Sequence, residues 1–123
     1  MARVTGIGGV FFRSGDQAAT IEWYRTHLGI EPEPDYPCAA LRWSGGESTV
    51  WAPFVTDTDY FGTSGQEFMV NYRVDDLVEM LAQLRAAGIE VDDDVEHADN
   101  GDFGWAVDCD GRRFELWQPA PGE

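Results

Sequence analysis

Histidine and cysteine, two residue types often used for catalysis and metal binding, are rare in this sequence. There are two histidines, His27 and His97, and two cysteines, Cys38 and Cys109. His97 lies in the acidic run 92–102, where both a catalytic histidine and an ordinary exposed one fit the sequence. The run lacks the glycine and terminal glutamate positions of a calcium-binding EF-hand loop. The cysteines match neither a disulfide framework nor a zinc site, and His27 fits a helix C-terminus, where its charge complements the dipole.

The hydrophobic pattern places these residues among alternating strands and helices. Helical spacing predicts one helix over 17–28, closed by Gly29, and a second that begins at Asp75-Asp76 and ends at Gly88. A two-residue turn, Asp110-Gly111, is predicted to join the last two strands. The segment 31–35 is either a stiff loop or an edge strand, because its prolines cannot donate to a sheet. The predicted strands are 9–13, 38–43, 49–54, 68–74, 89–95, 103–107 and 112–117, followed by a loose tail over 119–123.

Composition restricts the class of protein. The chain has 123 residues, is 43% hydrophobic and carries a formal charge of −15, which suits a single globular domain. Nucleic acid is not an expected partner, because phosphate binding needs a basic face. No apolar run approaches the roughly 18–20 residues of a membrane span, and the start lacks a signal-peptide core. A cytoplasmic protein without membrane contact is therefore expected.

The two halves of the sequence repeat one another. Val10 and Arg13 recur as Val70 and Arg73, sixty positions later, and the triplet 28–30 recurs at 87–89. The segment 49–53 recurs at 115–119, so that Trp51 corresponds to Trp117. Three matches in the same order indicate an internal duplication. We expect one domain over 1–123, with module one at about 1–56, a linker at about 57–66 and module two at about 67–119.

Four segments carry a resemblance to a known family. They are Gly6-Ile7-Gly8-Gly9-Val10, the helix end Trp23-Tyr24 with Leu28-Gly29, the run 73–88 and the closing run 111–119. In their order and spacing they resemble the vicinal oxygen chelate superfamily, which includes glyoxalases, bleomycin resistance proteins and extradiol dioxygenases. The resemblance implies an α+β fold in which two tandem βαβββ modules form a curved mixed sheet around a cleft.

The resemblance also implies where a metal site would lie. The family's metal ligands correspond by pattern to Gly9, Thr49, Met69 and Glu115, and of these only Glu115 binds a hard divalent ion well. A catalytic metal site typically needs about three protein ligands. We therefore expect no metal and no cofactor.

Strand alternation extends this pattern to further residues. If the four positions face the cleft, the residues two and four positions away on the same strands face it too. These are Phe11, Arg13, Trp51, Asn71, Arg73 and Trp117. The opposite set, Val10, Phe12, Val50, Val70, Tyr72, Phe114 and Leu116, would then face the helices. The mixture of aromatic and polar groups in the first set is typical of a small-molecule pocket.

Each candidate has a functional and a structural interpretation. In the functional interpretation, Glu115 is a general base or binds a cation. In the structural interpretation, it forms a pair with Arg13, Arg73 or Asn71. Asn71 orients a ligand carbonyl or satisfies a buried neighbour. Trp51 and Trp117 clamp a flat ring or fill the core.

The remaining alternatives concern positions around the cleft. Gly9 opens room for a ligand or permits close packing. Arg13 and Arg73 suit the cleft mouth or the module interface. Tyr60 and Phe61, in the linker, fold over the cleft as a lid or cover a dimer contact.

Two functional hypotheses follow, with a third in reserve. The first is a metal-free, homodimeric protein that binds a small aromatic or cationic ligand through Phe11, Trp51, Met69, Trp117, Arg73 and Glu115. The second is a lyase or isomerase in which Glu115 is the catalytic base and Asn71 polarises a carbonyl, with or without a metal. The third is an accessory protein with a degenerate cleft.

Overall fold

A computed structural model describes residues 1–123 and shows seven strands in one sheet with two helices. The strands lie in the order β2-β3-β1-β4-β7-β6-β5. Their bounds are β1 Val4–Ser14, β2 Ala39–Arg42, β3 Ser48–Val55, β4 Phe68–Val74, β5 Glu96–Ala98, β6 Gly101–Val107 and β7 Arg113–Pro119, and the helices are α1 Gln17–Leu28 and α2 Leu77–Ala86. The predicted α+β fold with a curved mixed sheet is confirmed.

The helix ends follow from local side-chain chemistry. The Asp16 carboxylate accepts a hydrogen bond from the Ala19 amide, and Asp76 does the same for Glu79, so each aspartate caps a helix N-terminus. Gly29 has a φ of 70°, the left-handed conformation that ends a helix. These predicted boundaries are confirmed. Neither helix is long and apolar enough to cross a membrane.

The two halves meet at the centre of the sheet. β1 runs antiparallel to β4, with Val10 opposite Val70, and each is flanked by a parallel strand, β3 and β7 respectively. Both halves thus have the order strand, helix, strands. They are related by a local twofold axis near the Val10–Val70 pair. Module one has one strand fewer than expected, because segment 31–35 is a loop.

The sheet separates two clusters of buried side chains. On the helix side, α2 packs on Leu116 and Val74. On the other, concave side, the cluster is formed by Phe11, Ala52, Phe61, Met69 and Trp105; it is called the concave cluster below.

Two predicted segments differ in the structure. The strand predicted at 89–95 is wrong: this segment makes only an isolated bridge at Val91, and the edge strand β5 lies later, at Glu96–Ala98. The tail is not loose, because Arg42 Nη1 donates to the Gly122 carbonyl and the Ala120 amide donates to the Asn100 carbonyl. The tail is thus held by tertiary hydrogen bonds that no local pattern encodes.

Candidate functional site

Glu115 lies at the centre of the concave face. β7 places it beside Asn71 of β4, and β6 places Trp105 directly opposite it. The connection between β3 and β4 adds a fourth residue, Tyr60. Three strands and one loop therefore converge on a single carboxylate.

Every hydrogen-bond donor to Glu115 is a neutral group. Asn71 Nδ2 donates to Oε1 at 2.6 Å, Trp105 Nε1 donates to Oε2 at 2.9 Å, and the Tyr60 hydroxyl donates to Oε2 as well. Glu115 is 1% exposed and forms no salt bridge of the protein. The predicted pairing with Asn71 is confirmed, whereas pairing with Arg13 or Arg73 is wrong.

Burial dominates the acidity of this group. Desolvation raises the pKa of Glu115, and the three donated hydrogen bonds lower it without cancelling that effect. Burial, followed by the nearby Glu115 carboxylate, also raises the pKa of the Tyr60 phenol. The phenol therefore stays protonated and acts as a donor to Glu115.

Asn71 has one polar atom in use and one free. Its Nδ2 holds Glu115, but its Oδ1 is buried without a hydrogen-bond partner. A methyl group on Gly8 would overlap this oxygen and lie 2.8 Å from Cε3 of Trp117. The glycine at position 8 is therefore what allows the Asn71 amide to occupy its place.

Trp105 is a site residue that the sequence interpretation missed. A two-residue turn at Asp110-Gly111 would pair Trp105 with Leu116, on the wrong face. The loop instead spans 108–112, because the Asp108 carboxylate accepts hydrogen bonds from the backbone amides of Asp110 and Arg112. Trp105 consequently pairs with Glu115. The signal available in the sequence was this aspartate at the start of the turn.

Tyr60 and Phe61 pack into the interior on the concave side of the sheet, which is called the cup below. Phe61 is fully buried, and its ring centroid lies 5.1 Å from that of Phe54. The Tyr60 ring stacks on Phe54 with centroids 5.4 Å apart and meets Trp105 edge-on with centroids 6.1 Å apart. The interior around Glu115 is therefore filled by aromatic side chains, two of them from the linker.

Phe11, Met69 and Trp117 lie on the concave face as predicted. Phe11 and Met69 are buried members of the concave cluster. Trp117 stacks parallel to Phe103 with ring centroids 6.0 Å apart, and its Nε1 donates to the Asn100 carbonyl at 2.9 Å. Whether these side chains bind a ligand stays a prediction.

The prediction that Trp51 faces the cleft is wrong. Its ring lies 4.8 Å from Tyr24 of α1 and 5.6 Å from Phe12, on the helix side of the sheet. The strand register gives the reason, since Ala52 stands beside Phe11 as Glu115 stands beside Asn71. The residues of β3 that face the cup are therefore Val50, Ala52 and Phe54, and the repeated tryptophans do not occupy equivalent faces.

Arg73 and Arg13 brace the structure at a distance from Glu115. Arg73 donates to the Ser48 carbonyl at 2.6 Å and the Glu123 carbonyl at 2.9 Å, and its guanidinium lies 4.8 Å from the Trp117 ring. Arg73 also forms an ion pair with Glu47. Arg13 binds the linker through three backbone carbonyls, those of 56, 58 and 66. Arg73 thus links the two modules, which is one of the two roles predicted for it.

The residues at the four metal-type positions do not fit a divalent ion. A side chain on Gly9 would lie 2.9 Å from Phe11 and 3.0 Å from the Val50 carbonyl, so Gly9 permits close packing and opens no room. Thr49 donates to the Ile7 carbonyl on the helix side, and Met69 is a core residue. Glu115 alone offers a hard ligand, and its oxygens already accept three hydrogen bonds. No group of three or more histidine, cysteine or acidic side chains is placed to hold a metal.

A cavity of about 630 Å³ opens on the concave face between the two edges of the sheet. We call it the mouth cavity. Its floor includes Val50 and Cys38, which pack on the concave cluster. Its rim carries three carboxylates, Glu33, Asp99 and Glu123, against one guanidinium, Arg42. Volume, apolar floor and polar rim are those of a small-molecule site.

The histidines lie away from the cup. His97 is exposed on β5, and its Nδ1 lies 2.7 Å from the Asp102 carboxylate. His27 is on α1, with its ring 4.8 Å from that of Trp23. Neither touches the concave cluster. His97 fits its interpretation as an exposed histidine, and His27 lies in the last turn of α1, where the sequence placed it.

Comparison with known proteins places this geometry in context. Residues 6–116 match the family described as Glyoxalase/Bleomycin resistance protein/Dioxygenase superfamily. A solved methylmalonyl-CoA epimerase in complex with methylmalonyl-CoA and NH4+ has a TM-score of 0.76 at 19% identity, covering 98% of this chain and 99% of that one. A Streptomyces coelicolor methylmalonyl-CoA epimerase variant in complex with 2-nitronate-propionyl-CoA has a TM-score of 0.74 at 19% identity, with 96% and 99% covered. The Mycobacterium tuberculosis methylmalonyl-CoA epimerase has a TM-score of 0.67 at 24% identity, with 96% and 90% covered. At these identities the likeness shows the fold, and no curated protein matches the sequence.

Proposed function

Since the chain belongs to the glyoxalase/bleomycin resistance protein/dioxygenase superfamily, we propose that it binds a small aromatic or cationic molecule on the concave face of its sheet, without a metal ion. The mouth cavity is the observation that carries this proposal. Its floor is apolar, so it suits a ring, and its rim has an excess of carboxylates in a chain of charge −15. The apolar floor favours an organic molecule, and the excess of carboxylates favours a cation over an anion.

Glu115 supports the same function from the interior. A buried carboxylate is costly, by several kcal/mol, unless a positive charge or enough donors offset the lost hydration. Here the donors are neutral, and desolvation still raises the pKa. A cationic or hydrogen-bond-donating ligand that reaches the cup would find an acceptor already in place.

A charge-matched set of compounds tests this proposal. We expect 4-methylbenzylamine, a cation, to bind the protein more tightly than 4-methylbenzyl alcohol, and 4-methylbenzoate to bind least. Tryptophan fluorescence reports the titration, because Trp117 Nε1 donates to the carbonyl of Asn100, a residue that lines the mouth cavity. Glu33→Gln at the rim should weaken the amine by about threefold to tenfold at low salt and leave the alcohol unchanged, whereas the exposed Glu67→Gln should change neither. Absence of binding by all three compounds, or preference for the benzoate, would refute the proposal.

A second candidate is proton transfer next to a carbonyl, with Glu115 as the base. The observation that favours it is a buried carboxylate of raised pKa at the centre of the concave face. The structurally similar epimerases act on methylmalonyl-CoA, which makes that thioester the first substrate to try. When methylmalonyl-CoA is incubated with the wild-type protein in deuterium oxide, mass spectrometry should show deuterium at its acidic carbon. The Glu115→Gln variant should not catalyse this exchange. A wild-type rate equal to that of buffer alone would eliminate this candidate.

The partner we propose is a second copy of the chain. The convex side of β1 and β4, between the two helices, leaves apolar residues exposed, among them Val4, Ile7, Val10 and Phe68. This strip carries no charge, while the rest of an acidic chain repels its copies. We expect light scattering to give twice the 13.7 kDa of one chain. Val10→Glu should yield monomers and Val78→Glu, an exposed position on α2, should not; a monomeric wild-type protein would refute the dimer.

A further inference from the structure

We propose that the Tyr60 side chain occupies a subsite for a hydroxylated aromatic ring, and that phenolic ligands bind by displacing it. This rests on the proposed function, since it names the ligand chemistry of the deepest part of the same cup. Tyr60 is then an internal occupant that keeps Glu115 hydrogen-bonded while no ligand is present.

The slot that holds the Tyr60 ring has the features needed to recognise a phenol. One wall is the face of Phe54, stacked at 5.4 Å with an interplanar angle of 15°. A second wall is Trp105, which meets the ring at 87°. At the end of the slot the carboxylate of Glu115 accepts a hydrogen bond from the Tyr60 hydroxyl. Offset stacking, an edge contact and a buried acceptor together select a flat ring with a donor at its tip.

The occupant comes from a connection between modules, not from the sheet that builds the slot. Its backbone is fixed: Arg113 Nε donates to the Tyr60 carbonyl at 3.1 Å, and the Tyr60 amide donates to Thr58 Oγ1 at 3.2 Å. The next residue, Phe61, is fully buried and anchors the segment. The Tyr60 side chain itself is only partly buried, and its hydroxyl donates to Glu115. Departure of one side chain therefore opens the slot without unfolding the linker.

One buried polar atom near Glu115 has no partner in the protein. Asn71 Nδ2 donates to the Glu115 carboxylate, while Asn71 Oδ1 is buried without a hydrogen-bond partner. Unpaired buried acceptors are rare and costly in folded proteins, so this atom favours a site that is completed by a ligand.

Competition with an internal occupant predicts how affinity responds to substitution. A ligand must displace Tyr60, so its apparent affinity is reduced by the fraction of molecules in which the slot is open. Tyr60→Phe keeps the ring but removes the hydrogen bond to Glu115. The lost bond corresponds to about a 10- to 100-fold change in the open fraction, and Tyr60→Ala removes the occupant altogether.

Calorimetric titration of the full chain with 4-methylphenol and toluene tests the proposal. We expect 4-methylphenol to bind Tyr60→Phe and Tyr60→Ala at least tenfold more tightly than the wild-type protein. In Tyr60→Ala it should also bind at least tenfold more tightly than toluene, which has the same shape without the hydroxyl. Tyr72→Phe, which removes a hydroxyl on the helix side of the sheet, should match wild type. The phenylalanine variant retains the ring, so it tests the proposal even where the alanine variant fails to fold.

The results separate this proposal from the one on which it rests. Equal affinity for 4-methylphenol in wild type and both variants would overturn the Tyr60 subsite, even where the wild-type protein binds the benzylamine. Equal affinity of Tyr60→Ala for 4-methylphenol and toluene would overturn it as well, because Glu115 would then not recognise the hydroxyl. Failure of the benzylamine series, by contrast, refutes the cation preference of the mouth cavity and leaves the comparison of phenol and toluene intact.

Discussion

Replacing Glu115 by glutamine should stabilise the protein at neutral pH. Glutamine has nearly the same shape and keeps an oxygen that accepts hydrogen bonds from Trp105 and Tyr60, but it carries no charge to desolvate. The raised pKa of Glu115 means that the folded protein favours the protonated, neutral side chain relative to the unfolded chain. The neutral variant should therefore gain stability wherever wild-type Glu115 is ionised.

The sign of the pH dependence follows from linkage. The unfolded glutamate has a pKa of about 4.3, and the folded value is higher, so the folded state binds the proton more tightly. The stability that this proton contributes is fully present below about pH 4.3 and is lost as the pH rises through the folded pKa. Within that window wild-type stability should fall relative to the variant by at most about 1.4 kcal/mol per pH unit.

The magnitude at pH 8 is a difference between two large effects. Burying an ionised carboxylate costs several kcal/mol, and each hydrogen bond to a charged group returns about 1.5–3 kcal/mol. The three donors do not fully offset the burial cost, so we expect a gain of about 1–3 kcal/mol for Glu115→Gln. Near pH 4 the two proteins should have the same free energy of unfolding.

Urea unfolding followed by tryptophan fluorescence, at intervals from pH 4 to pH 8, measures this difference. Glu67→Gln is the matched control, because it removes the same charge from an exposed side chain without hydrogen bonds and should track the wild-type protein. A Glu115→Gln variant that is less stable than the wild-type protein at pH 8, with a deficit that shrinks toward pH 4, would show that the fold favours the ionised carboxylate and would refute the reasoning.

Three further substitutions probe the site by thermal or urea unfolding and by titration. Gly8→Ala should cost about 1–3 kcal/mol, because the new methyl group overlaps Asn71 Oδ1; an unchanged urea midpoint would contradict the packing described. Trp105→Phe should cost about 1–3 kcal/mol and raise the pKa of Glu115 further, since it removes one of the donors that lower it. This appears as a wider pH window in the same unfolding series. Trp51→Phe should leave the affinity for 4-methylbenzylamine unchanged, and a loss of tenfold or more would mean that Trp51 reaches the cup after all.

The fold was largely predictable because its signals are local and repeated. The capping aspartates Asp16 and Asp76 lie next to the helices they start, and the glycines that end them lie at the expected spacing. The repeat of Val10 as Val70 indicated the duplication, and the structure places these two valines opposite each other in the central strand pair. Parts that depend on distant contacts were misjudged, as at 89–95 and in the C-terminal tail.

The site was predictable only where strand alternation could be anchored. On β4 and β7 the alternation placed Met69, Asn71 and Glu115 correctly on the concave face. On β3 the matching of Trp51 with Trp117 shifted the strand by one face, and since the side-chain period of a strand is two, one such shift exchanges every inward residue for an outward one. In the last hairpin, the predicted two-residue turn shifts the register by one residue in the same way and places Trp105 beside Leu116 instead of Glu115.

The sequence by itself determined the family, the α+β architecture, the acidic field and the identity of the one carboxylate in the cup, because motifs, charge and periodicity are properties of the chain. Only the tertiary structure decided what surrounds that carboxylate. Whether Glu115 met an arginine, a metal or neutral donors depended on a five-residue loop at 108–112 and on where the linker placed Tyr60. These are register and loop-packing outcomes, fixed by contacts between residues far apart in sequence. Among the alternatives open for Glu115, they selected a buried carboxylate that pairs with Asn71 and is capped by a tyrosine.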